Sequence, residues 1–220
     1  MRSTPESDPA PDALRRISIG TITHYRSFAR AYREGTWHHD VSQNIAALFG
    51  AIEAEPPYRI LDLGCGPGRD LVTFRSLGHE PIGLDACPEF VDMARRLAIC
   101  EVWLQDMLAL DLPGERFDGV FANAVLFHVP SQALPRVLSD LWATLKPKGV
   151  LFASNPRGRN EEGWADERYA CFYDLPTWQR LVEDAGFVLL DHYFRPPGKP
   201  RNQQPWLATV WRKRSIQPAG

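Results

Sequence analysis

Short apolar runs alternate along the chain with amphipathic stretches of helical period, the pattern of a layered α/β domain. Tyr58-Arg59-Ile60-Leu61-Asp62-Leu63 reads as a buried strand opening into a glycine-rich turn. Further strands are predicted at Pro81–Asp85, Val102–Leu104, Asp118–Ala122, Val150–Ser154, Phe187–Tyr193 and Trp206–Arg212. Apolar residues at helical spacing predict helices between them. The first spans Ile22–Arg33, and the second starts at Asp40, with Gln43 in the capping-box position. Arg69–Leu77 is closed by Gly78, and another helix carries Pro88 near its first position. Ser131 is placed to cap a helix striped by Leu134, Val137, Leu138, Leu141 and Leu145, and Leu175–Ala185 is stopped by Gly186. Seven strands with interleaved helices predict an open, doubly wound sheet with helices on both faces. Such sheets bind ligands beyond the carboxyl ends of their strands, near the switch in strand order.

Residues 1–13, rich in Pro, Ser and acids, read as a disordered leader, and 214–220 as a tail. Residues 14–213 make one domain, of which 14–55 form a helical lid. The segments 155–174 and 195–205 are too long for simple connections and are expected to serve the ligand side. With a net charge of −2, the chain has no basic excess that would suit nucleic acid. No apolar run reaches bilayer length, so no membrane association is expected. Cys65, Cys87, Cys100 and Cys171 are scattered, which argues against a zinc site and a disulfide framework and for reduced thiols in the cytoplasm. A monomer or homodimer is expected.

The turn Gly64-Cys65-Gly66-Pro67-Gly68 follows GxGxG rather than GxGxxG, since Arg69 stands where the third dinucleotide glycine would fall. Asp62, two residues before the first glycine, would repel a pyrophosphate but attract a ligand carrying ammonium and sulfonium groups. Gly64, Gly66 and Gly68 let the backbone approach such a ligand. Asp85 ends the second strand 23 residues later, placed to accept from ribose hydroxyls, and Asp106 ends the third, placed to accept from an adenine amine.

Ile60 to Gly68 closely resembles the first motif of class I S-adenosylmethionine-dependent methyltransferases. Gly83-Leu84-Asp85, Gln105-Asp106 and Phe117 to Asn123 are similar to the next three, and Leu145 to Leu151 to the turn entering the fifth strand. The resemblance covers about residues 20–213. It implies a mostly parallel seven-stranded sheet whose last strand is antiparallel. It implies S-adenosylmethionine as cofactor, S-adenosylhomocysteine as product and no metal. Asp62, Gly64, Cys65, Gly66 and Gly68 would hold the methionine portion, Asp85 with Ala86 the ribose, and Asp106 with Met107 the adenine. Asn123 and Ala124 would lie near the methyl group, with Tyr25 and Tyr32 as lid tyrosines.

The implied reaction is in-line transfer of methyl to an N, O or S atom of a small-molecule acceptor, driven mainly by positioning. His128 is a candidate base, with loop filling or helix capping as its plainer reading. Phe127, Trp164 and Tyr169 are candidate acceptor contacts. Arg157, with Arg195 or Arg201, is a candidate site for an anionic group on the acceptor. A protein or nucleic-acid acceptor is the alternative, although Asn123-Ala124-Val125-Leu126 lacks the Pro-Pro-aromatic run of amine-methylating nucleic-acid enzymes. A non-catalytic cofactor-binding scaffold and, more remotely, a nicotinamide oxidoreductase complete the alternatives.

Overall fold

Four of the five residues of Arg59–Leu63 (β1) are buried, because this apolar strand has a neighbour on each edge and helices over each face. The computed structural model describes residues 11–215. β1 pairs in parallel with β2 (Glu80–Asp85) on one edge and β4 (Phe117–Asn123) on the other. β3 (Val102–Leu104) lies outside β2, and β5 (Leu145–Pro156) outside β4. β9 (Trp206–Lys213) runs antiparallel to both β5 and β8 (Phe187–Arg195), so β8 is parallel to the central strands. The order is β3-β2-β1-β4-β5-β9-β8, the mostly parallel sheet with an antiparallel strand near its edge that the sequence predicts.

Before β1 come α1 (Pro11–Ser27), α2 (Ala29–Thr36) and α3 (Ser42–Ala51), and between the strands lie α4 (Arg69–Ser76), α5 (Pro88–Ala98), α6 (Leu134–Thr144) and α7 (Leu175–Asp184). Ile45 and Leu48 of α3 pack with Ile60, Phe121 and Phe152 on one face. Leu134, Leu138 and Leu141 of α6 and Trp178 of α7 pack with Leu61, Val120 and Leu151 on the other. This is the two-period signature at work, since alternate strand residues serve opposite helical layers.

Several local expectations change. The first helix is longer than Ile22–Arg33 and breaks at Phe28 (φ −134°), giving α1 and α2. Residues 11–13 of the expected leader belong to the first turn of α1, and 1–10 lie outside the described residues. Val41, not Asp40, occupies the N-cap of α3, with Asp40 Oδ1 accepting from Ser42 N at 2.9 Å. Ser131 does not cap α6: its backbone N donates to Glu162 Oε1 at 2.9 Å, and the helix begins three residues later. Residues 155–174 are not a loop but hold an antiparallel hairpin, β6 (Glu161–Ala165) and β7 (Arg168–Phe172), turning at Asp166 with φ 56°. No helix of the described residues is long and apolar enough to cross a membrane, and all four cysteines are free.

Candidate cofactor and acceptor site

The turn after β1 is held to β2 by Gly64 N and Cys65 N, which donate to Leu84 O at 2.7 and 3.0 Å. Asp85 then ties the glycine turn to the start of α5. Its Oδ2 accepts from Gly66 N at 2.9 Å and its Oδ1 from Cys87 N at 2.8 Å, just before the helix. Burial pushes the Asp85 carboxyl up to about 6, against the lowering pull of those N–H groups. Gly66 has φ 53°, and a Cβ there would meet only the Tyr32 ring, at 3.8 Å. That leaves an open lip beneath the tyrosine where a ligand can approach the backbone. Gly68 serves a different purpose. A Cβ there would lie 2.8 Å from Ala94 Cα, so this glycine lets α4 and α5 pack closely.

A cleft with about 600 Å³ of empty space opens over this turn. Gly64, Gly66, Asp85, Ala86 and Met107 form part of its wall, with Phe90 and Tyr32. Mostly apolar walls with one carboxylate at a strand end suit an adenosine, whose ribose hydroxyls need an acceptor and whose base needs a flat apolar slot. Cys65 is buried behind the turn, and its thiol, pushed up by burial, is no part of the wall. Asp62 is also outside the wall. It is buried, its Oδ2 has no hydrogen-bond partner, and desolvation with Asp70 close by holds its carboxyl well above the usual range. The protein thus leaves one buried acceptor unmatched next to the turn, which suits a cationic ligand group. Asp106 caps a 3₁₀ turn at Met107–Ala109, accepting from Leu108 N at 2.9 Å and from Ser18 Oγ of α1.

A second cavity, with about 1260 Å³ of empty space, adjoins the first, and Tyr25, Tyr32 and Ala124 line both. Burial raises the Tyr25 phenol and takes that of Tyr32 to about 12, so both are O–H donors at neutral pH. His128 also lines the first cavity, edge-on to the Tyr25 ring. Its Nδ1 is 2.8 Å from Tyr169 O, a carbonyl that can only accept, so the proton sits on Nδ1. Nε2 is therefore the acceptor for the Tyr25 O–H, at 2.8 Å. With both nitrogens engaged and its pKa lowered by burial to about 4, His128 is a neutral anchor for Tyr25.

Asn123, Phe127, Ser154, Arg69, Arg168, Arg195 and Trp206 contribute to the second cavity. The β4–β5 register sets Asn123 beside Ser154 at the sheet's carboxyl edge, and Asn123 Oδ1 accepts from Asn44 Nδ2 at 2.9 Å. Arg69 is committed to Asp70, at 2.7 and 2.8 Å, and to Thr36 O. Of the arginines expected here, only Arg195 arrives. Arg157 N pairs with Pro205 O at 2.7 Å, continuing the β5–β9 ladder, which carries its side chain away to Phe194 and Arg201 O. Arg201 likewise lies over the Phe194 ring. Trp164 is half-exposed and packs on Gly20 of α1, and Tyr169 contributes its backbone to His128 and Thr21 and its hydroxyl to Glu162. The sequence pattern does not single out Arg168, Trp206 or Phe90 as cavity residues. Arg168 stands within an arginine-bearing segment, but only the hairpin places it in the cavity. Among the described residues, no three His, Cys, Asp or Glu side chains gather as a metal site.

Residues 60–149 match a family model described as a methyltransferase domain. Over 177 residues the chain is 32% identical to trans-aconitate 2-methyltransferase of Azoarcus sp. strain BH72, covering 64% of this chain and 69% of that one. It is 36% identical over 118 residues to an uncharacterized 37.1 kDa transposon protein of Streptomyces fradiae, covering 50% of this chain and 34% of that one. The chain therefore spans between about a third and about seven tenths of the length of these relatives. In fold it is similar to 1,6-didemethyltoxoflavin-N1-methyltransferase of Burkholderia thailandensis, solved with 1,6-didemethyltoxoflavin and S-adenosylhomocysteine. The TM-score is 0.75 at 24% identity, over 96% of this chain and 94% of that one.

Proposed function

The chain belongs to the class I S-adenosylmethionine-dependent methyltransferases, and from that premise we propose that it methylates an N, O or S atom of a small-molecule acceptor carrying an anionic group. The junction of the two cavities at Tyr25, Tyr32 and Ala124 carries this reading, since it sets a chamber for the donor beside one for the acceptor with these three residues lining both. Asp85 would accept from the ribose hydroxyls, Ala86 and Met107 would flank the adenine, and Gly64 and Gly66 would admit the methionine portion. The unmatched Asp62 Oδ2 suits that portion's ammonium as a charge neighbour. Asp106 supports the adenine end by capping the turn that presents Met107.

The bound cofactor supplies an electrophilic methyl on a sulfonium leaving group. The protein's part is alignment and exclusion of water, a contribution worth an effective molarity of roughly 10⁵–10⁸ M. Tyr25, anchored by His128, and Tyr32 cover the junction from α1 and α2. The anionic group is supported by the arginines of the second cavity, and by a relative named for trans-aconitate, itself a carboxylic acid. Calorimetry should register S-adenosylhomocysteine binding and none for NAD, with labelled methyl transferred to a small acceptor. A folded protein that binds NAD instead would overturn the reading.

A further inference from the structure

Arg168 and Arg195 have no carboxylate partner among the described ion pairs, although the Asp40 carboxyl lies near enough to Arg195 to feel its charge. Both arginines line the second cavity, one from β7 and the other from the end of β8. The described ion pairs of arginine use Arg26, Arg59, Arg69, Arg116, Arg136 and Arg212, so of the three arginines in this cavity Arg69 is paired and Arg168 and Arg195 are not. Both have a buried Nε–H with no hydrogen-bond acceptor. A buried donor on a charged group is costly to leave unpaired, and a planar carboxylate matches the guanidinium fork. The two stand at different places. Arg168 Nη1 is 3.4 Å from Tyr25 Oη at the junction, whereas Arg195 Nη2 donates to Asp40 O, at 2.7 Å, near the exposed rim. Phe127 and Trp206, with ring centroids 6.4 Å apart, supply apolar wall to the same cavity.

The cavity is equally informative about proton transfer. His128 has both nitrogens engaged, and Tyr25 donates its proton to His128. Asp40 is exposed at the rim and tied to Ser42 N, and His39 is exposed beside it. Asp85, the carboxylate of the adjoining cleft, is engaged by Gly66 N and Cys87 N, so the junction favours a nucleophile that arrives with no proton to lose. A carboxylate does so at neutral pH, while an ammonium or an ordinary alcohol does not.

We propose that the acceptor is a small dicarboxylic acid, anchored through one carboxylate at Arg195 and methylated on the other, which Arg168 orients beside Tyr25. This rests on the methyl-transfer reading above. A carboxylate oxygen lone pair forms the new O–CH₃ bond as the C–S bond breaks, its electron pair staying on sulfur. The products are a methyl ester and the thioether, and no proton moves.

The test incubates the full chain with S-adenosylmethionine labelled in the methyl group. Acceptors are succinate, glutarate and phthalate, with their monocarboxylate counterparts and an amine, a phenol and a thiol of similar size. Label should enter the dicarboxylates in preference and be released as methanol by alkali, as an ester requires. Arg195→Gln should raise the dicarboxylate KM by about tenfold or more, with kcat less affected and partial rescue in Arg195→Lys. Arg168→Gln should lower kcat, and both variants should bind S-adenosylhomocysteine as the parent does. Alkali-stable label on the amine, phenol or thiol would overturn the proposal while leaving methyl transfer intact. So would a cofactor complex in which no acid is labelled, whether or not one shifts its melting temperature. Absence of S-adenosylhomocysteine binding would instead bring down the functional reading itself.

Discussion

Asp85 holds the turn and the cleft at once, because its two oxygens secure Gly66 N and Cys87 N while its carboxylate also lines the cleft. Burial raises its pKa to about 6, so a substantial fraction is protonated in mildly acid solution. Only the ionised form keeps acceptor sites free for two ribose hydroxyls, and those donors in turn favour ionisation. The carboxyl's pKa should therefore fall on binding. S-Adenosylhomocysteine affinity should be greatest above pH 6 and weaken below it, by up to about tenfold per pH unit until the bound-state pKa is reached. Calorimetry from pH 7.5 to 5 should show that slope in the parent and lose it in Asp85→Asn, which binds weakly throughout. A slope that survives in Asp85→Asn would assign the titration elsewhere.

The hairpin β6–β7 is the element through which α1 is held over the site. Thr21 Oγ1 accepts from Tyr169 N at 3.1 Å, His24 Nδ1 lies 3.1 Å from Glu167 Oε2, and the Trp164 ring lies over Gly20. Trp164→Ala removes the apolar part of this clamp without touching the central sheet. Amide exchange along α1 should quicken and cofactor affinity should fall a few-fold, with the melting temperature nearly unchanged; unaltered exchange in α1 would show that the clamp lies elsewhere. This element was hidden from the sequence for a physical reason. β6 carries Gly163 and the exposed Glu161, Glu162 and Trp164, and the hairpin's burial comes from α1 and the 3₁₀ turn at Leu126–His128 rather than from its own alternation. Arg168 was hidden with it. By contrast β1, β2 and β4, buried on both faces, show as mostly apolar runs despite Asp62 and Asp118, and the Asp85 position follows from the strand end alone. Gly68 shows the opposite limit, a glycine correctly placed in a motif whose use is the contact with Ala94.

At the scale of the molecule, strand order explains why both cavities fall on one edge. β1 has β2 on one side and β4 on the other, so the connections leaving β1 and β4 diverge and open a crevice between them. Because β8 is parallel to the core, the connection after it emerges on that same edge and delivers Arg195 and Pro196. The far edge, where Val188 and Leu190 of β8 are exposed, has no part in the site. A ligand bound only to the folded state stabilises it by about 2.7 kcal/mol at a hundredfold excess over Kd. For a domain of this size that corresponds to a rise in Tm of roughly 5–10 °C. Local protection should be uneven, because ligand contacts suppress local opening only where they are made. With S-adenosylhomocysteine bound, amide exchange should slow in α1, in the 64–68 turn and at the end of β2, and stay unchanged in the outer half of β8. Equal slowing in β8 would mean that the ligand tightens the whole sheet, and would remove the case for α1 as a separately closing cover.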